Sequence, residues 1–348
     1  AAMARTRGLP TGGKKVTINE AGAATANWLI TAVFYDKYGR AIQTQGNNHL
    51  YTSAAADKST IVYNFAGQVL KIKTTHCQSA GSCIALVDRP EYDHAGRPLK
   101  LFRTINTNPE QLLVQYEYNA LGQLVDKKLH STGGNNFLQS VDFRYTIQGQ
   151  LKSINNAQLA VNPVNNDDTN DLFGLELIYN TLESGLGNAQ YYNGNISAVK
   201  WKGPGQSTGN TDQRSYKYTY DKSDRLKTAT FTAYNGSAWS MEANTLNESL
   251  TYDHNGNIKT LVRNQNQRGL SLVNGTPTVT STPLTIDNLT YTYVSDHNRL
   301  TKVDDATSQA AGFSNGVTTT TEYTYNANGS LDADQNKGVS STAYNLMG

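Results

Sequence analysis

Polar and aromatic positions alternate with period two along much of this chain. Clear examples are Tyr116-Glu117-Tyr118, Tyr291-Thr292-Tyr293 and Tyr323-Thr324-Tyr325. Side chains that alternate with period two lie on opposite faces of a β-strand. Tyrosine and threonine suit the pleated, half-buried surface of a sheet. The pattern therefore predicts an all-β chain made of short strands.

A recurrent turn signal follows the alternating stretches. It consists of Tyr, then Asp or Asn, two variable residues, Gly, a polar residue and an apolar residue. The Asp or Asn side chain caps such a turn by binding the backbone, and the glycine supplies a positive φ, so each unit is predicted to be an antiparallel β-hairpin. The residues predicted to form these turns are Tyr35, Asp36, Gly39, Tyr63, Asn64, Gly67, Tyr92, Asp93, Gly96, Tyr118, Asn119, Gly122, Tyr145, Gly149, Tyr220, Asp221, Tyr252, Asp253, Gly256, Tyr325, Asn326 and Gly329.

The spacing of these units indicates a repeat array. The first five tyrosines that begin a repeat unit, at positions 35, 63, 92, 118 and 145, follow one another at intervals of 28, 29, 26 and 27 residues. Weaker copies begin at Tyr192, Tyr293 and Tyr344. A unit repeated at a near-fixed period packs mainly on its neighbours, and insertions fall in its loops.

We expect a lead-in segment followed by a single continuous array. The predicted ranges are 1–30 for the lead-in and 31–348 for the array, with large insertions near 152–190, 202–214 and 264–287. The last copy, from Tyr344 to Gly348, is cut short. We therefore expect the chain to be an internal piece of a longer protein.

The repeated carboxylates resemble catalytic acids only superficially. Asp36, Asp93, Asp221 and Asp253 occupy equivalent positions of equivalent turns. A catalytic acid–base pair needs two carboxyl groups in different environments. Turn capping is the better interpretation, and the sequence contains no phosphate-binding loop, nucleophile elbow or zinc-protease motif. We expect no enzyme activity, catalytic residue, cofactor or metal.

The amino-acid composition further narrows the possible fold and function. Hydrophobic residues make up 37% of the chain, charged residues 17%, and 21 tyrosines outnumber 8 phenylalanines. This favours a turn-rich sheet protein with a thin core, in which tyrosine rings are buried and their hydroxyl groups bind at the rim. A net charge of +2 without a basic stripe argues against nucleic-acid binding. No apolar run approaches the roughly 18 residues of a membrane-spanning helix.

The two cysteines, Cys77 and Cys83, lie in what the sequence predicts to be a loop between repeats. Two alternatives stay open. A disulfide would clip the loop locally and would suit an oxidising compartment, whereas two free thiols would not. The pair is a poor zinc site, because no further cysteine or clustered histidine accompanies it.

A run of Asn and Asp residues at 162–171 raises the question of a calcium loop. Asn166, Asp168 and Asn170 place oxygen ligands at alternate positions. The run has neither the glycine at the bend nor the distant bidentate glutamate of an EF-hand loop. A solvated surface loop is therefore the preferred interpretation.

The Tyr-Asp/Asn-x-x-Gly units, around ten copies over residues 30–348, resemble those of the RHS/YD-repeat family. A finer resemblance is to the RHS proteins of Bacteroidetes-type bacteria. It rests on the segment Asp171–Asn180, on Tyr192–Ser197 and on Trp201. The resemblance implies a long antiparallel sheet wound as a spiral, which forms part of a hollow β-shell around a C-terminal toxic domain. The self-cleaving Asp-Pro-x-Gly core of the family has no match in this chain.

The resemblance also sets the expected function. We expect a non-catalytic shell segment of a secreted or surface-exposed bacterial protein, which encloses or displays a toxin-like polypeptide cargo. Its partners would be the rest of its own longer chain and the enclosed cargo domain. The alternative is a surface adhesin, whose exposed tyrosines and asparagines bind carbohydrate. A third hypothesis, a glycosidase, requires a pair of carboxylates that no sequence feature singles out.

Overall fold

The alternating stretches form β-strands in the computed structural model of the chain. The structure describes residues 6, 8–18, 24–134, 136–162, 164–203, 213–273, 276–295, 298–307, 309–317 and 319–344. The chain divides into two compact units, residues 1–143 and 144–348. Strand pairs are antiparallel throughout the described residues. The predicted all-β, antiparallel class is therefore confirmed.

The first unit contains one sheet of ten strands. They are β1 (Gly12–Ile18), β2 (Ala24–Tyr35), β3 (Ala41–Gly46), β4 (Asp57–Tyr63), β5 (Val69–Ser79), β6 (Ser82–Tyr92), β7 (Pro98–Ile105), β8 (Gln111–Tyr118), β9 (Leu124–Gly133) and β10 (Asn136–Gln139). Each strand pairs with the next one in sequence. In this meander, the hairpin turns that follow Tyr35, Tyr63, Tyr92 and Tyr118 all lie at the same end of the strands. Neighbouring turns of this set are two strands apart.

The second unit contains an eleven-stranded sheet and a two-stranded sheet. The larger sheet holds β11 (Phe143–Tyr145), β12 (Leu151–Ile154), β13 (Gly174–Ile178), β14 (Ala198–Lys202), β15 (Arg214–Tyr220), β16 (Leu226–Tyr234), β17 (Trp239–Met241), β18 (Glu248–Tyr252), β19 (Ile258–Val273), β20 (Thr276–Tyr293) and β21 (Leu300–Asp305). The smaller sheet pairs β22 (Tyr323–Tyr325) with β23 (Leu331–Asp334), and a 3-10 helix spans Gln335–Lys337.

The three predicted insertions differ in structure. The segment 152–190 includes most of β12 and all of β13, and thus contributes to the sheet. Residues 204–212 of the second insertion lie outside the described residues, as do 345–348 of the last repeat copy. The third insertion, 264–287, belongs to the long hairpin β19–β20.

A β-bulge accompanies the repeat tyrosines. Tyr63 pairs with Val69, but the preceding Val62 pairs with Lys71, so Leu70 is the extra residue. The same register shift occurs at Tyr35, Tyr92, Tyr118, Tyr220, Tyr252, Tyr293 and Tyr325. A bulge bends its strand and increases the local twist. The turns therefore impose a regular bend on every second connection.

Few apolar side chains are buried, as the composition predicts. The one cluster of buried apolar side chains in the described residues joins Ile178, Leu186 and Ala198, with Trp239 packed against it. Leu186 lies in the 152–190 insertion, which thus covers part of the second unit's sheet. Most other buried positions are polar residues, and some of them bind neighbouring strands, as the Asn48 side chain does at the Cys77 carbonyl.

Candidate functional site

The repeated turns are the most regular chemical feature of the molecule, and the turn at Asp93 illustrates their geometry. The N–H of Asp93 donates to the carbonyl of Arg97 at 2.9 Å, and the Gly96 N–H donates to the Asp93 carbonyl at 3.0 Å. Asp93 Oδ1 accepts the backbone N–H groups of Ala95 and Arg97 at 2.9 and 2.8 Å. Its Oδ2 accepts Arg97 Nε at 2.6 Å. The carboxylate therefore caps the turn and fixes the arginine that follows the glycine.

These contacts shift the acidity of the turn aspartates. Desolvation acts to raise the pKa of Asp93, but the hydrogen bonds from the Arg97 backbone and guanidinium outweigh it and hold the pKa below its ordinary value. The pKa values of Asp36 and Asp221 are lowered in the same way, by Arg40 and Arg225. At Asp253 the side chain of Asn257 is the largest cause of the lowered pKa.

Two of the turns that begin with asparagine use a matching amide pair. Asn64 Nδ2 donates to Gln68 Oε1 at 2.7 Å, and Asn119 Nδ2 donates to Gln123 Oε1 at 2.8 Å. In five turns the first position and the residue four positions later thus match: Asp with Arg in three turns, and Asn with Gln in two. Two turns differ, because Asp253 binds Asn257 and Asn326 is followed by Ser330. This covariation inside one chain is visible in the sequence, although the repeat consensus alone does not point to it.

The turn glycines have positive φ. Gly39, Gly67, Gly96, Gly122, Gly149, Gly256 and Gly329 have φ between 77° and 92°. The copy that lacks glycine has Asp224 in the same place, with φ 59°. Asp224 also accepts hydrogen bonds from the side chains of Asn193 and Asn195, at 2.7 and 3.0 Å. A residue type that tolerates this conformation therefore keeps the turn.

Two of the turns that carry arginine also contact the turn that follows them. Arg40 donates to the carbonyl of Asn64 at 3.2 Å, and its guanidinium lies 4.8 Å from the centre of the Tyr63 ring. Arg225 makes the same two contacts, with the Asp253 carbonyl at 2.9 Å and the Tyr252 ring at 4.6 Å. The cation therefore packs on the aromatic face of the next repeat.

A second bond runs in the opposite direction. The hydroxyl of a repeat tyrosine donates to the carbonyl of the second residue after the preceding turn glycine, or after the residue that replaces this glycine (Asp224 before Leu226, Asn298 before Leu300). In the first unit these bonds include Tyr35 to Pro10, Tyr63 to Ala41 and Tyr118 to Pro98. In the second unit they are Tyr179 to Leu151, Tyr220 to Ile196, Tyr252 to Leu226, Tyr293 to Ile258, Tyr325 to Leu300 and Tyr344 to Leu331. We call this two-way set of contacts the inter-turn stitch.

The inter-turn stitch shows that the prediction of Tyr192 as the repeat tyrosine of its unit is wrong. Tyr179, not Tyr192, donates to Leu151, and Tyr192 is 78% exposed. Burial raises the pKa of Tyr179, which favours its neutral, donating form. Gly194 keeps its turn role, with φ 95°.

Exposed Tyr192 borders a cleft of about 500 Å³ in the second unit. Tyr145, Tyr179 and Tyr191 also line it, together with the polar side chains of Gln148, Gln150, Lys152, Asn180, Thr181 and Asn193. Aromatic faces beside amide groups can stack on and hydrogen-bond a polar, ring-shaped ligand.

Cys77 and Cys83 form a disulfide. They are directly opposite each other on β5 and β6, with Cα atoms 4.0 Å apart. The predicted loop position is therefore wrong: strand pairing continues through both cysteines to Ser79 and Ser82, and the turn is confined to Ala80 and Gly81. The Cys77 carbonyl accepts the buried Asn48 side chain at 3.0 Å.

The described residues of the Asn/Asp run 162–171 are exposed or half-buried, as expected for a surface loop, with one exception. Asn166 is fully buried. Its backbone carbonyl accepts the Asn162 N–H at 2.6 Å, and its side-chain oxygen accepts the Asp168 N–H at 3.4 Å. Asn166 thus acts as an internal cap of the loop.

Comparison with known proteins gives no family assignment. No family model and no curated protein matches the chain. A structure of the Photorhabdus luminescens Tc holotoxin pore is similar, with 12% identity and a TM-score of 0.35, over 92% of this chain and 17% of that chain. The TcdB2–TccC3 structure has 10% identity and a TM-score of 0.31, over 94% and 20%. A porin-like protein from Bacteroides uniformis has 12% identity and a TM-score of 0.24, over 78% and 94%.

The chain spans about a fifth of the length of the two toxin chains. At these scores the likeness carries no further argument. Separately, none of the helices in the described part of the chain is long and apolar enough to cross a membrane.

Proposed function

We propose that the chain is a non-catalytic segment of an RHS-type β-shell, in which sheet repeats of one long polypeptide enclose or display a polypeptide cargo. The inter-turn stitch carries this proposal. Its bonds join neighbouring turns of the same sheet, as at Arg225, Tyr252 and Leu226. Such nearest-neighbour contacts extend a sheet one repeat at a time.

The chemistry of the turns supports a structural role. The carboxylates that occur most regularly, represented by Asp93, bind their own turn backbone and the following arginine. That arginine in turn packs on the next tyrosine, as Arg97 does on the Tyr118 ring at 4.5 Å. The polar groups of the repeats are thereby used in building the sheet.

A secreted or surface-exposed location belongs to the same proposal. The disulfide between Cys77 and Cys83 is a bond that persists in oxidising compartments. The binding partners of the chain would be further repeats of the same polypeptide and the cargo domain.

The test is made on the native polypeptide from its source. Intact mass and terminal peptide mapping give its extent, and limited proteolysis gives the protection of each part. We expect further repeats and an unrelated domain that resists protease until the repeat sheet is denatured. A native polypeptide without further repeats, or one whose additional domain is cut as fast as an unfolded chain, contradicts enclosure of cargo.

A second candidate function is carbohydrate binding, which the tyrosine-lined cleft at 145–194 favours. We propose that exposed Tyr192 would stack on a sugar ring while Gln150 or Asn193 binds its hydroxyl groups. Glycan-array binding that is lost in Tyr192→Ala supports this function. Tyr38→Ala is the matched control, because Tyr38 is also exposed, at 62%, and lies in the other unit. Equal loss in both variants, or no binding by the wild type, argues against the cleft.

A further inference from the structure

The hairpin β19–β20 extends well beyond the strands on either side of it. β18 pairs with β19 only as far as Arg263, and β21 pairs with β20 only from Leu289 onward. Ten further β19–β20 pairs run from Asn264–Thr285 to Val273–Thr276. At about 3.3 Å per residue, this two-stranded arm is ~33 Å long.

The arm is nearly uncharged. Arg268 is the one charged residue in 264–285, and it binds Glu242 at 3.0 Å. Beyond Arg268, Leu270, Leu272 and Val279 are 81%, 73% and 62% exposed. Leu270 is directly opposite Val279, and Leu272 lies two residues further on the same face. An isolated two-stranded hairpin is only marginally stable in water.

The two long edges of the arm differ. Pro277 and Pro283 lie on β20, opposite Leu272 and Asn266. A proline has no N–H to donate, so it is tolerated where the N–H would face away from the paired strand. Positions 277, 279, 281 and 283 therefore face outward, and two of these four lack a donor. The outer edge of β20 is thus a poor template for another strand.

The outer edge of β19 has no such protection. By the same alternation, the N–H and C=O groups of Arg268, Leu270 and Leu272 face outward. Within the described residues, these three have no backbone hydrogen bond beyond the hairpin. An edge that no proline blocks, and whose single charge is already paired with Glu242, is a template for strand addition.

We propose that this edge pairs antiparallel with the same edge of a second copy of the chain. The pairing that we infer places Leu270 opposite Leu272 of the partner subunit, and Leu272 opposite the partner's Leu270. Both members of each pair have outward-facing backbone groups, so they exchange hydrogen bonds. Four leucines then form one apolar cluster on a four-stranded sheet.

The second copy is favoured because the edge is complementary to itself. A shift of the two-fold axis from Ser271 to Leu270 would still place Leu270 opposite the partner's Leu270. It would place Arg268 opposite the partner's Leu272, however, so the two Leu272 side chains would leave the cluster. A charged partner would find little to bind, since Arg268 is already paired with Glu242. The contact is small, which predicts a weak, concentration-dependent dimer.

Sedimentation velocity of the whole chain over a range of concentrations tests the proposal. Leu270→Pro removes an outward donor on each copy, so we expect at least ~tenfold weaker association. Val279→Pro is the matched control, because it changes the directly opposite residue on the edge that prolines already block. Association should survive in that variant. A wild type that stays monomeric at every concentration, or equal loss in both variants, overturns the proposal.

A charge-pair experiment tests the register and does not depend on tolerance of proline. Leu270→Lys should weaken the dimer by at least ~tenfold, because it places a charge among the leucines. Adding Leu272→Glu should restore association, since each lysine then faces a glutamate of the partner subunit. Failure of this rescue in a folded double variant overturns the register.

Discussion

The hydroxyl of Tyr252 donates a 2.7 Å hydrogen bond to the carbonyl of Leu226, which lies 26 residues earlier in the chain. The same ring receives the guanidinium of Arg225 from the preceding turn. One tyrosine thus joins two repeats by a directional bond and by a cation–π contact. This arrangement explains why the repeat uses tyrosine, because phenylalanine would supply the ring without the donor.

We expect Tyr252→Phe to destabilise the second unit by about 0.5–1.5 kcal/mol, since the Leu226 carbonyl loses its side-chain partner. Tyr192→Phe is the control: its exposed ring should change the free energy of unfolding by less than about 0.5 kcal/mol. Urea unfolding of both variants measures the difference. Equal effects would argue against the stitch as a stabilising bond.

Substitution of Gly122 should lower the free energy of unfolding more than substitution of Gly81. Both have positive φ, at 83° and 82°. A Cβ at Gly122 would lie 2.9 Å from Arg97 Nη1, whereas one at Gly81 would meet nothing within 4 Å. Alanine in this conformation costs about 1–2 kcal/mol at either site. Displacing Arg97 from the Tyr118 ring should add about 0.5–1 kcal/mol at Gly122.

Denaturant unfolding of Gly122→Ala and Gly81→Ala gives this comparison directly. Additional loss at Gly122 that disappears when Arg97 is first replaced by alanine identifies the guanidinium as the cause. Identical losses in the two glycine variants would mean that backbone conformation alone selects glycine at both turns.

The pairing of Asp with Arg and of Asn with Gln predicts energetic coupling inside one turn. Asp93→Asn and Arg97→Gln each break the contact between Asp93 Oδ2 and Arg97 Nε. The double variant recreates the amide pair that joins Asn119 to Gln123. We expect it to be less destabilised than the sum of the two single variants.

A double-mutant cycle in urea measures this coupling. The cycle between Asp93→Asn and Arg103→Gln is the control, because Arg103 binds Asp88 instead, and its effects should add. An additive Asp93–Arg97 cycle would contradict the proposed selection of turn pairs.

Stability should fall in acid as the turn aspartates are protonated. The pKa values of Asp36, Asp93, Asp221 and Asp253 lie below their ordinary value of 3.8 in the folded protein. The unfolded chain therefore binds protons first as the pH falls. The contribution is fully present well above 3.8 and is lost as the pH falls through the folded pKa values.

Urea midpoints between about pH 6 and pH 2 should therefore show a plateau and then a decline below about pH 4. A variant with asparagine at all four positions should start lower and decline less. A wild-type midpoint that is unchanged throughout this range would contradict the lowered pKa values.

Local chemistry made much of this fold predictable from the sequence. Alternation around residues such as Tyr116 and Tyr118 indicates strands, because side chains of a strand point to opposite faces. The run from Asp93 to Gly96 indicates a turn, since capping and positive φ depend on neighbouring residues only. That is why the all-β class and the location of these hairpins follow from the sequence.

Contacts between distant residues were not predictable in this way. The sequence alone determined the strands, the turns and their near-regular period, because these depend on short-range periodicity and backbone preference. Only the tertiary structure decided that Tyr179 replaces Tyr192 in the stitch and that Cys77 faces Cys83 across a strand pair. It also determined that the prolines of the β19–β20 arm block one edge, because strand register places each residue opposite a partner that its own sequence neighbourhood does not identify.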